Sequence, residues 1–181
     1  MKHLNKLWLL VFLLPSFSAC GGAIYGMANA LSSSTAMQDQ PAPELYQGRW
    51  LNSDALSLAS LSGKVVLIDF WRRSCPHCRK MSPQLQSWHK TYGKSGLAVI
   101  GIHTPNSKDD TSFLLLQQYV LAEDVSYPIM TDNSGKNWEN FKMEYWPTIY
   151  LIDRKGIIRY VQVGAGKYEE TEAEIKKLLA E

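Results

Sequence analysis

Residues 65–78 have the sequence VVLIDFWRRSCPHC, in which a β-branched and aromatic run leads into a segment with two cysteines. The run Val65–Trp71 is apolar apart from Asp69, which predicts a strand buried on both faces in the middle of a partly parallel sheet. Cys75 and Cys78 follow in a C-x-x-C pattern. A helical repeat of apolar residues continues at Met81, Leu85 and Trp88. The segment therefore predicts a buried strand, a short loop and a helix that begins at the cysteines.

The alternation of strands and helices continues to the end of the chain. Strands are predicted at 97–103, 127–131, 148–152 and 157–163. Helices are predicted at 111–123, 135–142 and 169–179. Asp109 and Asp110 are candidate caps for the helix at 111–123, and Gly156 ends a turn that joins the last two strands as a hairpin. We therefore expect an α/β domain with a mixed central sheet flanked by helices.

The position of the two cysteines predicts their chemistry. Residues at i and i+3 on a helix have β-carbons about 5–6 Å apart, so Cys75 and Cys78 can form a disulfide. Pro76 suits the first helical position, where the N–H that it lacks would have no partner. The helix N-terminus stabilises a thiolate, and cysteine pKa values in such motifs fall to about 3.5–7. Basic residues that add to this effect flank the pair at Arg72, Arg73, Arg79 and Lys80.

A redox role competes with three others. A structural disulfide that closes such a short loop stabilises little. A zinc site needs two further ligands, and the sequence has no second C-x-x-C. Haem attachment needs a histidine directly after the second cysteine, where this chain has Arg79. Copper binding by Cys75, Cys78 and His103 stays open as an alternative, because His103 ends a predicted strand. In the redox role, we expect the more exposed Cys75 to attack and Cys78 to resolve the mixed disulfide.

Several separated motifs resemble thioredoxins. They are Asp69-Phe70-Trp71, the C-x-x-C, and Trp146-Pro147-Thr148 at the start of a late strand. A longer pattern resembles the TlpA-like group and its DipZ-like redoxin domains, with WLNS at 50–53, GKVVL at 63–67, IGIHTP at 100–105 and YWPT at 145–148. The resemblance covers nearly all of 44–165. It implies a thioredoxin fold with a helix–strand insertion after the second core strand, and a thiol–disulfide oxidoreductase.

The resemblance also implies roles around the cysteines. Pro147 is implied as a cis-proline that faces the disulfide and offers a backbone edge to an extended partner chain. Asp69 is implied as a buried acid, with a pKa raised by burial, that accepts a proton as Cys78 becomes a nucleophile. The residues implied to border the substrate are Trp71, Trp146, Pro147 and Thr148. For both tryptophans a plain core role is the alternative. The implied partners are protein thiols and disulfides, with a membrane electron-transfer protein as a further candidate and no cofactor beyond the redox-active disulfide.

The neighbours of the cysteines point in both redox directions. Pro76-His77 is the dipeptide of the strongly oxidising DsbA type, and a histidine near the thiolate raises the reduction potential. The helical insertion of that type is absent. Members of the TlpA-like group that serve cytochrome c maturation carry a Glu where this chain has Met81, which argues against that dedicated role. Peroxiredoxins carry Thr or Ser three residues before the reactive cysteine, where this chain has Arg72, so a peroxidase is not expected.

The first residues of the chain predict export. Lys2 and Lys6 precede an apolar run at 7–14, and small residues follow, as in a secretory signal. Residues 17–20, FSAC, resemble the bacterial lipobox, although Phe stands in place of the usual Leu. Cys20 would then be lipidated and become the first residue of the mature protein. We therefore expect a protein on the periplasmic or cell-surface side of a bacterial membrane, held there by a lipid anchor.

Two alternatives for the N-terminus stay open. One is ordinary cleavage after the A-x-A site at 28–30, and the other is an uncleaved anchor, since 7–31 is uncharged and long enough to span a bilayer. Residues 20–43 are rich in Gly, Ala, Ser and Pro and predict a flexible tether, which places the folded domain at 44–181. Removal of 1–19 would leave as many basic as acidic residues. A protein without a basic surplus is not expected to bind nucleic acid.

Overall fold

The computed structural model describes residues 33–181, in which a short strand at 50–51 that was not predicted comes before the strands and helices of the predicted order. The strands are β1 (Trp50–Leu51), β2 (Val65–Trp71), β3 (Leu97–His103), β4 (Ile129–Thr131), β5 (Thr148–Ile152) and β6 (Ile158–Val163). The helices are α1 (Pro76–Tyr92), α2 (Phe113–Ala122), α3 (Lys136–Asn140) and α4 (Tyr168–Ala180). A 3-10 turn over Asp109–Thr111 precedes α2. No helix within residues 33–181 is long and apolar enough to cross a membrane.

The strands form one mixed sheet in the order β1-β4-β3-β2-β5-β6. At its centre, β2 runs parallel to β3 and antiparallel to β5. The parallel part is extended by β4, and antiparallel pairing adds β1 and β6 at the two edges. The predicted mixed sheet and the predicted hairpin of β5 and β6 are confirmed. The pair formed by α2 and β4 is the helix–strand insertion expected after the second core strand, β3.

Alternate residues of β2 enter two hydrophobic cores on opposite faces of the sheet, as the two-residue period of a strand requires. Leu67 and Trp71 belong to a core that also contains both cysteines and the apolar face of α1. Ile68 and Phe70 belong to the other core, where the rings of Phe70 and Phe141 have centroids 5.2 Å apart. The cysteines are therefore built into the core on one face of the sheet.

The predicted bounds of the three central strands β2, β3 and β5 are confirmed, whereas the start of α2 differs. Ser112 is the N-cap of this helix, and its hydroxyl accepts a hydrogen bond from the N–H of Leu115 at 3.4 Å. Asp110 was expected as a cap, but its buried carboxylate accepts a hydrogen bond from the hydroxyl of Ser74 at 2.6 Å. The prediction is wrong because the acid has a tertiary partner that local sequence does not indicate.

Of the tether predicted at 20–43, the structure describes residues 33–43, and residues 34–43 lie against the domain. The side chain of Met37 is 5% exposed, and the hydroxyl of Ser34 donates to the carbonyl of Lys142 at 2.9 Å. The N–H of Asp39 donates to the carbonyl of Ile158 at 2.7 Å. Composition did not predict that this segment packs against the domain. Many of its contacts are backbone hydrogen bonds, which any residue except proline can donate and any residue can accept. The predicted signal at 1–19 and the lipidation site Cys20 lie outside the described residues.

Candidate active site

The two cysteines lie where the loop after β2 becomes helix α1. Cys75 is the N-cap of α1, with an extended backbone at φ −91° and ψ 113°, and Pro76 is the first helical residue as predicted. Cys75 and Cys78 are joined by a disulfide, with their Cα atoms 5.3 Å apart. The sulfur of Cys75 accepts a hydrogen bond from the N–H of Cys78 at 3.2 Å. A helix N-terminus favours negative charge, so this position suits a thiolate on Cys75.

The disulfide lies just below the surface of the domain. Cys75 and Cys78 are each 4% exposed, so the expectation that Cys75 is the more exposed cysteine is wrong for the disulfide-bonded protein. Pro76 and His77, which stand between them, are exposed, and so is Ser74 in front of them. The exposed neighbours leave one side of the pair next to solvent.

The arginines around the disulfide are held by neighbouring groups. The guanidinium of Arg72 lies 4.7 Å from the centre of the Trp146 ring, and that of Arg79 lies 5.7 Å from the centre of the Tyr119 ring. Arg73 turns to Asp110, with Nη2 3.3 Å from the carboxylate. The expected basic surroundings are therefore present in part, since the charge of Arg73 is paired.

Asp69 lies on the strand that leads to the disulfide and is 2% exposed. Its Oδ1 has no hydrogen-bond partner among residues 33–181. Burial raises the pKa of this carboxyl from 3.8 to about 8, because a charge loses its hydration there. By strand alternation it shares a face of the sheet with Leu67 and Trp71, whose core contains both cysteines. A buried carboxyl with such a pKa can take up and release a proton near neutral pH, as the prediction for Asp69 requires.

A tyrosine that sequence reasoning missed lies beside Asp69. Tyr127 is 2% exposed, and burial, followed by the charge of Asp69, raises the pKa of its phenol, which is also hydrogen-bonded to Ser82 of α1. The phenol therefore stays protonated throughout the neutral range. No motif marked this residue, because it was assigned to a predicted strand and its electrostatic interaction with Asp69 arises only in the folded domain.

The loop before β5 carries the predicted proline. The peptide bond between Trp146 and Pro147 is cis, as expected. Trp146 is half-buried between Arg72 and Trp138, whose ring centroid is 4.1 Å from its own. Trp146 also contacts the core that contains the cysteines. Tyr145 is 60% exposed, so this loop offers an aromatic surface beside the disulfide.

Two residues predicted to border the substrate are buried, and they pack beneath the loops of the site. Thr148 is fully buried, and its hydroxyl donates to the carbonyl of Tyr145 at 2.9 Å. Trp71 is 5% exposed and lies edge-on to His103, with ring centroids 5.0 Å apart. For Trp71 the core alternative is thus the better description. Trp71 ends the strand before the cysteine loop, and Thr148 begins the strand after the cis-proline loop. Position in the sequence alone did not show that these residues are buried beneath the loops and do not face a partner.

The copper alternative fails at His103. Its side chain is fully buried, and Nε2 accepts a hydrogen bond from the N–H of Arg73 at 3.1 Å, so the lone pair that would bind a metal is in use. Burial is the main cause that lowers the pKa of His103 to about 4. Among residues 33–181, no group of three or more His, Cys, Asp and Glu side chains is placed to hold a metal ion. His103 instead fixes the loop that leads to Cys75.

A comparison with known protein families matches residues 39–161 to the AhpC/TSA family. The protein DipZ of Mycobacterium tuberculosis is 41% identical over 133 residues, which are 72% of this chain and 19% of DipZ. The chain thus spans about a fifth of that relative. The thiol–disulfide oxidoreductase YkuV of Bacillus subtilis is 31% identical over 143 residues, 78% of this chain and 96% of YkuV.

Solved structures agree with the fold. The crystal structure of a thioredoxin-like superfamily protein superposes with a TM-score of 0.73 at 29% identity, over 78% of this chain and 97% of the other. The disulfide at the start of a helix, the buried acid on the preceding strand and the cis-proline loop are thus found on a fold shared with thioredoxin-like relatives. The chain belongs to the AhpC/TSA family, with thiol–disulfide oxidoreductases of the thioredoxin-like fold among its relatives.

Proposed function

We propose that this protein is an extracytoplasmic thiol–disulfide oxidoreductase that exchanges disulfides with other proteins through Cys75 and Cys78. The observation that carries the proposal is the sulfur of Cys75 at the N-terminus of α1, with the N–H of Cys78 donating to it at 3.2 Å. That arrangement favours a thiolate on the first cysteine and keeps the second cysteine within bonding distance.

The exchange proceeds in two thiol–disulfide steps. In the reducing direction, the Cys75 thiolate attacks one sulfur of a partner disulfide, and the other partner sulfur leaves as a thiolate. Cys78 then loses its proton and attacks the sulfur of Cys75, which releases the second partner thiolate and leaves the protein oxidised. In the oxidising direction, a partner thiolate attacks Cys75 of the disulfide, and Cys78 leaves and takes up a proton. A second partner thiolate then attacks the partner sulfur of this mixed disulfide, which forms the partner disulfide and releases Cys75 as a thiolate. Electrons balance in each direction, because one disulfide is exchanged for another.

Asp69 serves the step in which Cys78 changes its protonation. The carboxylate accepts the proton of Cys78 in the reducing direction and returns it in the oxidising direction. Its pKa of about 8 places both forms within reach near neutral pH. Because the carboxyl is buried, the proton exchange between Asp69 and Cys78 is shielded from bulk water.

The cis-proline loop is proposed as the surface that holds the partner. Tyr145 is exposed and available to an extended chain, and Trp146 beside it is half-buried and held in place by Arg72 and Trp138. This chain matches 96% of YkuV, which is named a thiol–disulfide oxidoreductase. That name supports protein thiols as substrates. Export and lipid attachment rest on the basic start, the apolar run and Cys20 of the sequence.

Trapping of the mixed disulfide tests the proposal. In the Cys78→Ser variant, Cys75 can attack but the adduct cannot be resolved. Incubation with oxidised insulin should give a covalent adduct that dithiothreitol removes. The matched control is the Cys75→Ser variant, which should give far less adduct. Absence of an adduct with Cys78→Ser, or equal adducts with both variants, would contradict the assigned roles.

The direction of exchange follows from equilibrium with glutathione. A reduction potential of about −120 mV places a protein with strong oxidants of the DsbA type, whereas about −270 mV places it with thioredoxin. The wild-type protein equilibrated in glutathione buffers, quenched with acid and analysed by mass, gives this value directly.

A further inference from the structure

A buried acid outside the redox motif is tied to the loop that delivers Cys75. Asp110 is 3% exposed in the turn that follows β3. Its Oδ2 accepts a hydrogen bond from the hydroxyl of Ser74 at 2.6 Å, and its Oδ1 lies 3.3 Å from the guanidinium of Arg73. Ser74 and Arg73 directly precede Cys75, so this acid is bound to both residues in front of the reactive sulfur.

The loop is fixed at further points. The N–H of Arg73 donates to Nε2 of His103 at 3.1 Å, and the N–H of Cys75 donates to the carbonyl of Arg72 at 3.2 Å. We call Arg73, Ser74, His103 and Asp110 the Asp110 clamp. Its members come from the loop after β2, the end of β3 and the turn before α2, so three separate parts of the chain meet in front of Cys75.

We propose that Asp110 is a positioning residue that sets the redox equilibrium of the Cys75–Cys78 pair. This inference rests on the proposed function. Asp110 holds the loop that presents Cys75, and its charge opposes a thiolate on that residue. Arg73 favours the thiolate, and its pairing with Asp110 cancels much of that effect. Removal of either partner leaves the other buried or half-buried charge uncompensated beside the cysteine.

The equilibrium constant with glutathione measures the opposing effects of Asp110 and Arg73 on the Cys75 thiolate. The disulfide and two molecules of glutathione give the Cys75–Cys78 dithiol and one glutathione disulfide, so two electrons pass to the protein. Whatever stabilises the Cys75 thiolate stabilises the reduced protein and increases the equilibrium constant. Asp110→Asn should therefore increase that constant, and Arg73→Gln should decrease it. Loosening of the loop would instead move both variants in the same direction.

The test measures the equilibrium constant of the full-length protein with glutathione for each variant. We expect Asp110→Asn to raise the constant about tenfold, which corresponds to about 30 mV for a two-electron couple. We expect Arg73→Gln to lower it by several-fold. Ser74→Ala keeps both charges and should change it less than either. The matched control is Asp109→Asn, because Asp109 is exposed and only its backbone carbonyl contacts Arg73, at 3.2 Å.

A second readout needs no redox partner. The pKa of Cys75, measured by alkylation of the reduced protein, should fall in Asp110→Asn and rise in Arg73→Gln. The inference is overturned if the two variants move the pKa and the equilibrium constant in the same direction, or if Asp110→Asn matches Asp109→Asn. If Asp110→Asn does not fold, Arg73→Gln alone decides. A lower equilibrium constant with a higher pKa of Cys75 supports the inference, and the opposite changes overturn it. Failure of the proposed function would show differently, as a Cys78→Ser variant that gives no adduct with a protein disulfide.

Discussion

Asp69 lies directly beside Gly101 in the neighbouring parallel strands β2 and β3. A Cβ at position 101 would lie 2.5 Å from Cδ1 of Ile129, 2.9 Å from Nε1 of Trp71 and 3.2 Å from the ring of Tyr127. The missing side chain thus gives room to an isoleucine and two aromatic residues on the same face of the sheet as the buried acid. The packing around Asp69 therefore depends on the absence of a side chain at Gly101.

Gly101→Ala should destabilise the domain by about 1–3 kcal/mol, because the new methyl group overfills a region of the core that contains Trp71 and Tyr127. Urea unfolding followed by tryptophan fluorescence measures the change. Gly93→Ala is the matched control, since nothing lies within 4 Å of a Cβ there and its backbone is helical at φ −57° and ψ −42°. Equal effects of the two substitutions would contradict the crowding at Gly101.

Asp69→Asn should stabilise the oxidised protein at neutral pH. Between 3.8 and about 8 the unfolded chain holds this carboxyl ionised and the folded protein holds it protonated, so stability falls as pH rises through this window. The cost at pH 7 is on the order of 4 kcal/mol. The difference between variant and wild type should grow from acid to neutral pH and level off above about 8. Unfolding curves at several pH values measure it, with the exposed Asp54→Asn as control. A constant difference would contradict the raised pKa.

Asp69→Asn should also slow resolution without slowing attack. An aromatic disulfide that releases a coloured thiolate reports both steps, since Cys75 releases the first equivalent and Cys78 the second. The second phase should fall by about a hundredfold, the lower end of what positioned acid–base groups contribute. In the wild type its rate should rise with pH and level off above about 8, where the carboxyl is ionised, whereas in the variant it should keep rising as Cys78 itself loses its proton. Equal slowing of both phases would indicate general damage to the site.

His103→Gln should remove an acid-sensitive component of stability. The folded pKa of His103 is about 4 and its ordinary value is 6.5. Between these values the unfolded chain binds a proton that the folded protein does not, so stability falls as pH drops from 6.5 to about 4. The loss is on the order of 3 kcal/mol. Glutamine keeps an acceptor for the N–H of Arg73 but does not titrate. Urea unfolding between these pH values should show a shallower dependence in the variant, and an unchanged dependence would assign the titration elsewhere.

The central strands could be predicted from sequence because their signals are local. The apolar run Val65–Trp71 and the run at 97–103 have the bounds that the structure shows, and the C-x-x-C after the first of them fixes the start of α1. The cis-proline came from the resemblance to thioredoxins, because no local property of Trp146 and Pro147 distinguishes cis from trans.

The parts that could not be predicted depend on tertiary partners. Asp110 has the sequence context of a helix cap, yet its carboxylate bonds to Ser74, which lies far away in the chain. His103 has the residue type of a copper ligand, yet its lone pair accepts the N–H of Arg73. Composition described residues 34–43 as a tether, because backbone pairing with β6 leaves no mark on side-chain patterns. In each case the chemistry of the group allows several hydrogen-bond partners, and the tertiary fold determines which of them it has.

The central claim is that Cys75 is a stabilised thiolate at the N-terminus of α1 and that Cys78 is not. Alkylation of the fully reduced protein with iodoacetamide across acidic and neutral pH, with the modified residue identified by mass, tests it most directly. The account predicts that Cys75 reacts with an apparent pKa well below about 8.5, the value of a free cysteine, while Cys78 stays unmodified. Equal labelling of both cysteines, with pKa values near that of the free thiol, would contradict it.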